Sequence, residues 1–304
     1  MAKNIKKDNQ NLQSFLNVDS KTLARFQAIR RQTIAEAKGL LKTKKTIKVL
    51  GVSGSTRDQF DMAGEASNSE FLLQACLKEL KKMGAETELL PLRKYNIKPC
   101  KACYSTANTQ CHFPCSCYPK NTPAGDDMSN IIYDKLLSAD IIIFATPVNN
   151  FKISSLMALF IDRCISLDGS LAPADPKAAK DRELNIRHAR FVNHSADEAI
   201  FGSGFLRRFV GKTAGIIVTG HEAGASLAIS SLFLTLNNFG FIFPAWSTMY
   251  AMSSVLDLTA VDKVRVTSAP YVAEAQDIAR NTFIMAKKLK ELPKNKWRND
   301  PAVN

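Results

Sequence analysis

Long apolar runs are missing from this chain of 304 residues, in which no segment approaches eighteen uninterrupted apolar residues. A helix that crosses a bilayer needs about 20, so no membrane contact is expected. The amino-terminal stretch MAKNIKKDNQNLQSF is positively charged but lacks an apolar run of signal-peptide length. We therefore expect a cytoplasmic protein, in which clustered cysteines more often bind metals or act in redox chemistry than form structural disulfides.

Basic binding faces are also missing, although the net charge is +13. The whole excess lies in residues 1–46 and 280–304, and acidic and basic residues balance between these ends. No basic patch interleaved with aromatic residues and no nucleic-acid motif accompanies the basic ends. Nucleic-acid binding is not expected, and the ends are interpreted as peripheral arms.

Buried strands alternate with helices from residue 46 onward, which predicts a doubly wound α/β fold with a parallel sheet covered by helices on both faces. The predicted domains are a basic helical extension over 1–45, the main domain over 46–292 and a basic tail over 293–304. Residues 168–211 are too long for a simple connection and are interpreted as an insertion, either a flap or a subunit-contact arm. Five strands are predicted, at 46–54, 87–92, 141–148, 213–220 and 241–249. Helices are predicted at 20–42, 68–84, 126–140, 154–167, 225–240 and 275–292.

The turn GVSGSTR at 51–57 follows the first strand. It is not an ATP-binding P-loop, because no Gly-Lys-Ser/Thr follows it, and it is not a Gly-x-Gly-x-x-Gly dinucleotide turn. Its hydroxyls, backbone N–H groups and arginine suit a mononucleotide phosphate, and the start of the next helix would face the same anion. A solvated serine-rich turn is the alternative.

Two more turns, ATPVNNF at 145–151 and TGHEAGAS at 219–226, follow the third and fourth strands. Ligands of open parallel sheets bind beyond the carboxyl ends of the strands. A planar ring system lying along these turns could receive hydrogen bonds from backbone N–H groups and asparagine amides.

Taken in order, the segments GVSGSTR, SNSEF, DDMSNII, ADIIIFATPVNN and SSLMALFIDR resemble those of the NAD(P)H-dependent FMN reductase family of flavodoxin-like proteins. The resemblance covers about 46–249. The chain departs from the family at Met157 or Ala158, where a lysine is frequent, and at Asn149, where many members have tyrosine. Phe151 could supply the aromatic contact that Asn149 does not.

The resemblance implies a flavodoxin-like fold, bound FMN and NAD(P)H as co-substrate. The FMN phosphate would be held by Ser53, Ser55, Thr56, Arg57, Asn68 and Ser69. The isoalloxazine would be lined by Pro147, Val148, Asn149, Asn150 and Phe151 and closed by Thr219, Gly220, His221 and Gly224. Because the nicotinamide and the flavin carry out hydride transfer themselves, no catalytic side chain is predicted; His221 could assist a proton or be structural.

The leading hypothesis is an oxidoreductase that passes electrons from NAD(P)H through FMN to a small-molecule acceptor such as a quinone, a flavin or a metal ion. The alternatives are an iron-sulfur flavoprotein acting in electron transfer and a non-enzymatic FMN carrier or interaction module. A homodimer or homotetramer is expected, since such flavoproteins often form them.

The stretch CKACYSTANTQCHFPCSC at 100–117 contains five of the seven cysteines. Related flavoproteins carry a compact C-x2-C-x2-C motif after the second strand, but the spacing here is C-x2-C-x7-C-x3-C-x-C. Cys100 and Cys103 are the first candidates for metal ligands, with Cys111, Cys115 and Cys117 competing for the other positions. An iron-sulfur cluster, zinc, a reversible thiol pair and plain loop cysteines all stay open. Because the second strand is expected beside the first, the stretch should lie near the phosphate turn.

Overall fold

The computed structural model describes residues 2–42, 46–58, 60–62, 64, 66–105, 108–253 and 259–292. The predicted carboxy-terminal tail, 293–304, lies outside this part of the chain. None of the described helices is both long enough and apolar enough to cross a membrane.

Six described strands form the sheet: β1 (Lys48–Ser53), β2 (Glu86–Pro91), β3 (Ile141–Asn149), β4 (Lys152–Ile153), β5 (Thr213–His221) and β6 (Thr248–Ser253). Five of them run parallel in the order β2-β1-β3-β5-β6, which is the order of flavodoxin-like sheets. The two-residue β4 pairs antiparallel with the end of β3. The doubly wound fold is confirmed, with one short strand more than predicted.

The described part of the chain contains nine α-helices: α1 (Ala2–Leu16), α2 (Ser20–Leu40), α3 (Asn68–Lys82), α4 (Tyr133–Ser138), α5 (Ser155–Cys164), α6 (Arg182–Ser195), α7 (Glu222–Asn238), α8 (Thr259–Val266) and α9 (Ala269–Glu291). A π-helical turn, Met128–Ile132, precedes α4. The apolar residues of α4, α5 and α7 pack on one face of the sheet and those of α3 and α9 on the other.

Some predicted boundaries were wrong. The segment 241–249 is not one strand: Ile242 forms only an isolated bridge with Thr213, and β6 begins at Thr248 and runs to Ser253. The helix predicted from 275 begins at Ala269, where Pro270 suits the first turn. The cap of α2 is Asp19, whose carboxylate accepts a hydrogen bond from the N–H of Thr22 at 2.7 Å.

The amino-terminal helices and the insertion 168–211 pack against each other. Leu23 and Phe26 of α2 share a separate apolar cluster with Phe191 and Val192 of α6. Arg208 reinforces this contact by donating from Nε to Glu36 at 2.6 Å and from Nη2 at 2.9 Å. The apolar face of α2 is thus covered by its own chain.

Candidate functional site

The phosphate turn, residues 53–57, is packed directly against the start of α5. Gly54 donates its N–H to the carbonyl of Ala145 on β3 at 2.8 Å. Its own carbonyl accepts a hydrogen bond from Ser154 Oγ at 2.6 Å. A Cβ at Gly54 would lie 2.8 Å from Cβ of Met157, closer than real Cβ atoms approach. The turn therefore depends on glycine at this position.

Buried hydroxyls line the space between the turn and α3. Ser53, Ser55, Ser67 and Ser69 are all buried. Ser67 caps α3 by accepting the N–H of Glu70 at 3.2 Å, and its Oγ lies 3.1 Å from that of Ser69. Ser55 Oγ accepts the N–H of Arg57 at 3.3 Å. The positive end of α3 and this polar cluster thus lie beside the turn.

Glu70 and Arg93 belong to this cluster, although the sequence did not single them out. The Glu70 carboxylate accepts two hydrogen bonds from Arg93, at 2.5 and 3.0 Å, and a third from Ser53 Oγ at 2.7 Å. Burial raises the pKa of Glu70, but the bonds from Arg93 and Ser53 outweigh it and lower the pKa overall. The only feature of the sequence that could have indicated this pair is that Arg93 follows β2, which places it at the same edge of the sheet as the phosphate turn.

A tight hairpin follows β3. Val148 pairs with Ile153 and Asn149 with Lys152, which leaves Asn150 and Phe151 as the turn. Both turn residues have positive φ, 49° and 65°, as a two-residue hairpin turn with matching twist requires. Asn149 and Asn150 are exposed and Phe151 is 64% exposed. The hairpin therefore presents two amides and one aromatic ring at the edge of the sheet.

The end of β5 lies against this hairpin. Thr219 is paired in register with Pro147. A Cβ at Gly220 would lie 3.0 Å from Cβ of Val148, and one at Gly224 would lie 2.4 Å from Cα of Phe151. The two glycines therefore permit a close approach of the backbones. The side chain of His221 lies outside the described part of the structure.

The structure thus brings the predicted phosphate and ring residues to one edge, at the carboxyl ends of the adjacent strands β1, β3 and β5. Within this set Thr56 is exposed, and Arg57, Asn68, Pro147 and Val148 are half-buried.

All five cysteines of the segment 100–117, the cysteine loop, line a single pocket, the cysteine pocket. The pocket is also lined by His112, Arg163 and Ser166. Cys103 Sγ lies 3.2 Å from Cys117 Sγ. Among the described residues, no three His, Cys, Asp or Glu side chains already surround a point where a single metal ion could bind. The loop therefore gathers the thiols without forming a preassembled single-ion site.

The thiols of this pocket differ in acidity. A hydrogen bond from Cys117 lowers the pKa of Cys115 to about 6 against the opposing effect of burial. The same contact raises the pKa of Cys117. Burial raises the pKa of Cys111 to about 11. Cys115 consequently loses its proton more readily than Cys100, Cys111 or Cys117, whose pKa values are raised.

Arg163 supplies a buried positive charge next to the pocket. It donates to Asp126 from both Nη atoms and to the carbonyl of Lys98 at 2.8 Å, and its guanidinium stacks over the ring of Tyr118 at 4.3 Å. Burial alone would lower the pKa of Arg163, but Asp126 raises it overall. The residue pairs with Asp126, not with the adjacent Asp162, and its charge lowers the pKa of Cys115.

The cysteine pocket is not next to the phosphate turn, contrary to expectation. Ser154, the cap of α5, holds the turn, whereas Arg163 at the other end of α5 and Ser166 just beyond it line the pocket. At 1.5 Å per residue the two sites are roughly 15 Å apart along the helix. The cysteine loop starts near the edge of the sheet at which the phosphate turn lies, but it extends away from that edge.

Two histidines, His188 and His194, lie on α6. His188 is buried and stacks on Phe26 with ring centroids 4.6 Å apart. Burial lowers the pKa of His188 to about 4. This histidine is a neutral core residue of the insertion, whereas His112 lies in the cysteine loop with Nδ1 2.8 Å from Ser116 Oγ.

Comparison with known proteins gives a match to a family model and to curated relatives. Residues 47–186 match the model of the family described as NADPH-dependent FMN reductase. An iron-sulfur flavoprotein of Archaeoglobus fulgidus is 32% identical over 120 residues, which are 39% of this chain and 51% of the relative. An iron-sulfur flavoprotein of Methanosarcina thermophila is 32% identical over 123 residues, 40% of this chain and 54% of the relative. The chain thus spans about half the length of these curated relatives.

A solved structure agrees on the fold. The crystal structure of RosB with a bound intermediate, 8-demethyl-8-formylriboflavin-5'-phosphate, superposes with a TM-score of 0.57 at 15% identity and covers 83% of each chain. At that identity the likeness extends to the fold alone. The resemblance noted from the sequence is confirmed, since residues 47–186 of this chain match the model of the NADPH-dependent FMN reductase family.

Proposed function

We propose that the protein is an FMN-dependent oxidoreductase that takes a hydride from NADH or NADPH and passes electrons to a small acceptor such as a quinone, a flavin or a metal ion. One observation carries the proposal: the phosphate turn, the hairpin after β3 and the end of β5 meet at one edge of the sheet, with close approaches to Met157 and Phe151 that only glycine permits at 54 and 224. This edge is where open parallel sheets bind ligands.

The phosphate end of the site suits a dianion. The backbone N–H groups of the turn, the hydroxyls of Ser55 and Thr56 and the start of α3 at Asn68 supply donors, and Arg57 adds charge. Ser53 has a different role, since its hydroxyl is already bound to Glu70. Arg93 neutralises Glu70, so the carboxylate does not repel the phosphate.

The ring end suits a flat heteroaromatic system. The exposed ring of Phe151 can cover one side, and the amides of Asn149 and Asn150 together with the backbone at Gly220 offer hydrogen bonds to the ring edge. Aromatic contacts of this kind contribute about 0.5–1.5 kcal/mol beyond the buried area. We assign binding and orientation to these residues and no proton transfer.

FMN, when bound, supplies a ring that accepts a hydride and returns two electrons. The overall reaction balances for a quinone acceptor: NAD(P)H, one proton from solvent and the quinone give NAD(P)+ and the hydroquinone. Two electrons and one proton come from the nicotinamide, and the second proton comes from water.

The test is FMN titration of purified protein followed by NADH and NADPH oxidation with each acceptor class. The proposal expects stoichiometric FMN binding and turnover that requires FMN. Protein that stays colourless and does not bind added FMN would rule it out. Steady FMN binding without NAD(P)H turnover would favour a non-enzymatic carrier.

A second candidate function is electron transfer as an iron-sulfur flavoprotein. The convergence of five cysteines on one pocket favours it. The thiol donors fit the ligands that iron-sulfur clusters use, and Arg163 offsets part of the negative charge of the thiolates. Cys100 and Cys103 would hold such a cluster together with two of Cys111, Cys115 and Cys117. A cluster would add one-electron chemistry to the site.

Iron and acid-labile sulfide analysis of anaerobically purified protein separates the two candidates. Under the second candidate, Cys103→Ser loses iron, whereas Cys164→Ala, which changes a buried core cysteine outside the pocket, retains it. Iron-free protein with full NAD(P)H activity would reject the second candidate and leave the first standing.

A further inference from the structure

Two cysteines of the cysteine loop touch each other through their sulfurs. Cys103 Sγ is 3.2 Å from Cys117 Sγ, and both side chains are free thiols and half-buried. A single tetrahedral zinc ion, with bonds of about 2.3 Å, would hold two thiolate sulfurs about 3.8 Å apart. The observed separation is shorter than that and longer by about 1.2 Å than an S–S bond. It therefore suits two thiols that can join directly better than two thiolates that share one metal ion.

The two ends of the loop are held together without help from these sulfurs. Tyr118, the neighbour of Cys117, donates from its hydroxyl to the carbonyl of Pro99 at 2.7 Å. Its ring is buried and packs against the guanidinium of Arg163 at 4.3 Å. Because both ends are fixed in this way, Cys103 meets the second thiol at a far higher effective concentration than a dissolved thiol reaches.

Loop length decides between two possible bridges at Cys117, which also hydrogen-bonds to Cys115. A bridge from Cys115 would close a loop of three residues, whereas one from Cys103 would close a loop of fifteen. The longer loop takes more freedom from the unfolded chain, so its bridge stabilises the folded protein more. A loop of this length should lower the unfolding equilibrium constant about hundredfold. The bridge to Cys103 is therefore the favoured one.

Charge at the cysteine pocket selects the oxidant. Lys101, which is exposed, and Arg163 both line the pocket. No aspartate or glutamate stands among the described residues of this lining. A small disulfide that carries carboxylates, such as glutathione disulfide, is attracted to a surface of this charge, whereas a cationic disulfide is repelled.

We propose that Cys103 and Cys117 form a reversible disulfide by exchange with an anionic low-molecular-weight disulfide. One protein thiol attacks the S–S bond of glutathione disulfide, which gives a mixed disulfide and one glutathione, and the second protein thiol then displaces the other glutathione. Two protein S–H bonds and one S–S bond break, and one protein S–S bond and two glutathione S–H bonds form. Two electrons and two protons thus pass from the protein to glutathione.

The inference does not rest on the proposed function, because neither FMN nor NAD(P)H takes part in the exchange. It does bear on the second candidate function, since metals bind the thiolate form of cysteine. While the bridge is present, Cys103 and Cys117 are not available as ligands. The bridge and a metal bound through these two sulfurs therefore exclude each other.

The test uses the full-length, metal-free, reduced protein in glutathione buffers without FMN or NAD(P)H. After acid quenching and alkylation, trypsin releases residues 102–120 as one peptide, which chymotrypsin cuts after Tyr104. Cys103 then lies in one fragment and the other three cysteines of this peptide lie in 105–120. A bridge from Cys103 keeps the two fragments together until they are reduced, and fragmentation in the mass spectrometer should identify Cys117 as the partner.

Cys117→Ser should reduce the linked fragments at least tenfold and leave Cys103 carrying glutathione, because the second exchange step has lost its thiol. Cys103→Ser should leave glutathione on Cys117 instead, which keeps the test available if one variant fails to fold. Cys111→Ser is the matched control: Cys111 lines the same pocket, and the linked fragments should form as in the unmodified protein.

Three results would overturn the proposal. They are linkage of Cys103 mainly to Cys111 or Cys115 in the unmodified protein, stable glutathione on Cys103 in place of a bridge, and full retention of the linked fragments in Cys117→Ser. Each would show that the contact between the two sulfurs does not direct the exchange.

Cystamine, a cationic disulfide, checks the class of oxidant. Each rate of bridge formation is divided by the rate of the same oxidant with mercaptoethanol, a neutral thiol, to remove differences in intrinsic reactivity. At low salt the ratio for glutathione disulfide should be about fivefold the ratio for cystamine, and added salt should reduce this preference. Lys101→Gln should also reduce it. Equal ratios at low salt would overturn the assignment of an anionic oxidant.

Discussion

Arg93 donates two hydrogen bonds to the carboxylate of Glu70, from Nη1 at 2.5 Å and from Nη2 at 3.0 Å. The side chains are 19% and 12% exposed, so the pair is largely shielded from water. The Glu70 carboxylate also accepts a hydrogen bond from Ser53 Oγ at 2.7 Å. A negative carboxylate therefore stands beside the proposed phosphate site and is compatible with it only while Arg93 is present.

Arg93→Ala should weaken FMN binding by about tenfold, because the unpaired charge of Glu70 then opposes the phosphate. The loss of partners for a shielded carboxylate should also cost about 1–3 kcal/mol of unfolding free energy. Fluorescence quenching of FMN and chemical denaturation measure the two effects.

Arg280→Ala is the matched control for this change. Arg280 pairs with Glu79 at 3.1 Å, but its side chain is 46% exposed, so the loss should be small. Adding Glu70→Gln to Arg93→Ala should restore most of the FMN affinity. An unchanged affinity in Arg93→Ala would contradict the account of this pair.

Gly224→Ala should reduce FMN affinity by displacing the hairpin. Gly224 has φ +98° and an added Cβ would lie 2.4 Å from Cα of Phe151. Gly211→Ala is the control, since Gly211 has φ +79° with nothing within 4 Å of an added Cβ. Both variants should lose about 1–2 kcal/mol of stability from the left-handed backbone, but only the first should lose FMN affinity. Equal FMN affinity in both would show that the hairpin does not contact the cofactor.

Cys115 should be alkylated by iodoacetamide at pH 7 before Cys100, Cys111 and Cys117 in metal-free protein, because its pKa is lowered to about 6 by the hydrogen bond from Cys117 whereas theirs are raised. Cys76, which is buried and whose pKa is raised by burial, should stay unlabelled. Peptide mass spectrometry measures the order of labelling. Cys117→Ala should slow labelling of Cys115, and faster labelling would contradict the assignment.

His188 should make the protein acid-sensitive. Its pKa is lowered from 6.5 to about 4 by burial, so between these values the unfolded chain binds a proton that the folded protein does not. Its contribution to stability is complete above pH 6.5, declines as the pH falls toward 4 and is then lost, a difference of at most about 3 kcal/mol.

Denaturation at a series of pH values tests this. His188→Phe keeps a ring against Phe26 and should flatten the dependence, whereas His194→Gln on the exposed side of the same helix should not. If the unmodified protein and His188→Phe lose stability in parallel below pH 6.5, another group is responsible.

The strands β1, β3 and β5 were predictable because each is a run of apolar residues bounded by turn residues, and their ends identified the turns at 53, 147 and 219. The strand predicted at 241–249 was wrong because Phe241 is buried without being part of a strand. It packs on Phe209 with ring centroids 4.6 Å apart. A fully buried loop residue and a strand residue are alike in sequence.

Partners distant in sequence could not be predicted. Glu70 and Arg93 are brought together by the parallel pairing of β1 and β2, and Arg163 reaches Asp126 because α5 packs across the π-helical turn that follows that residue. The helix α6 was missed because its apolar face is completed by α1 and α2 rather than by the sheet. Sequence periodicity shows that a helix has an apolar face but does not show which element covers that face.

The most direct test of the central claim is an FMN titration of the purified protein monitored by visible absorbance, followed by anaerobic addition of NADPH or NADH. The account predicts saturation at one FMN per chain and bleaching of the flavin band by at least one of the two nucleotides. Absence of FMN binding at saturating concentrations, in folded protein, would contradict it.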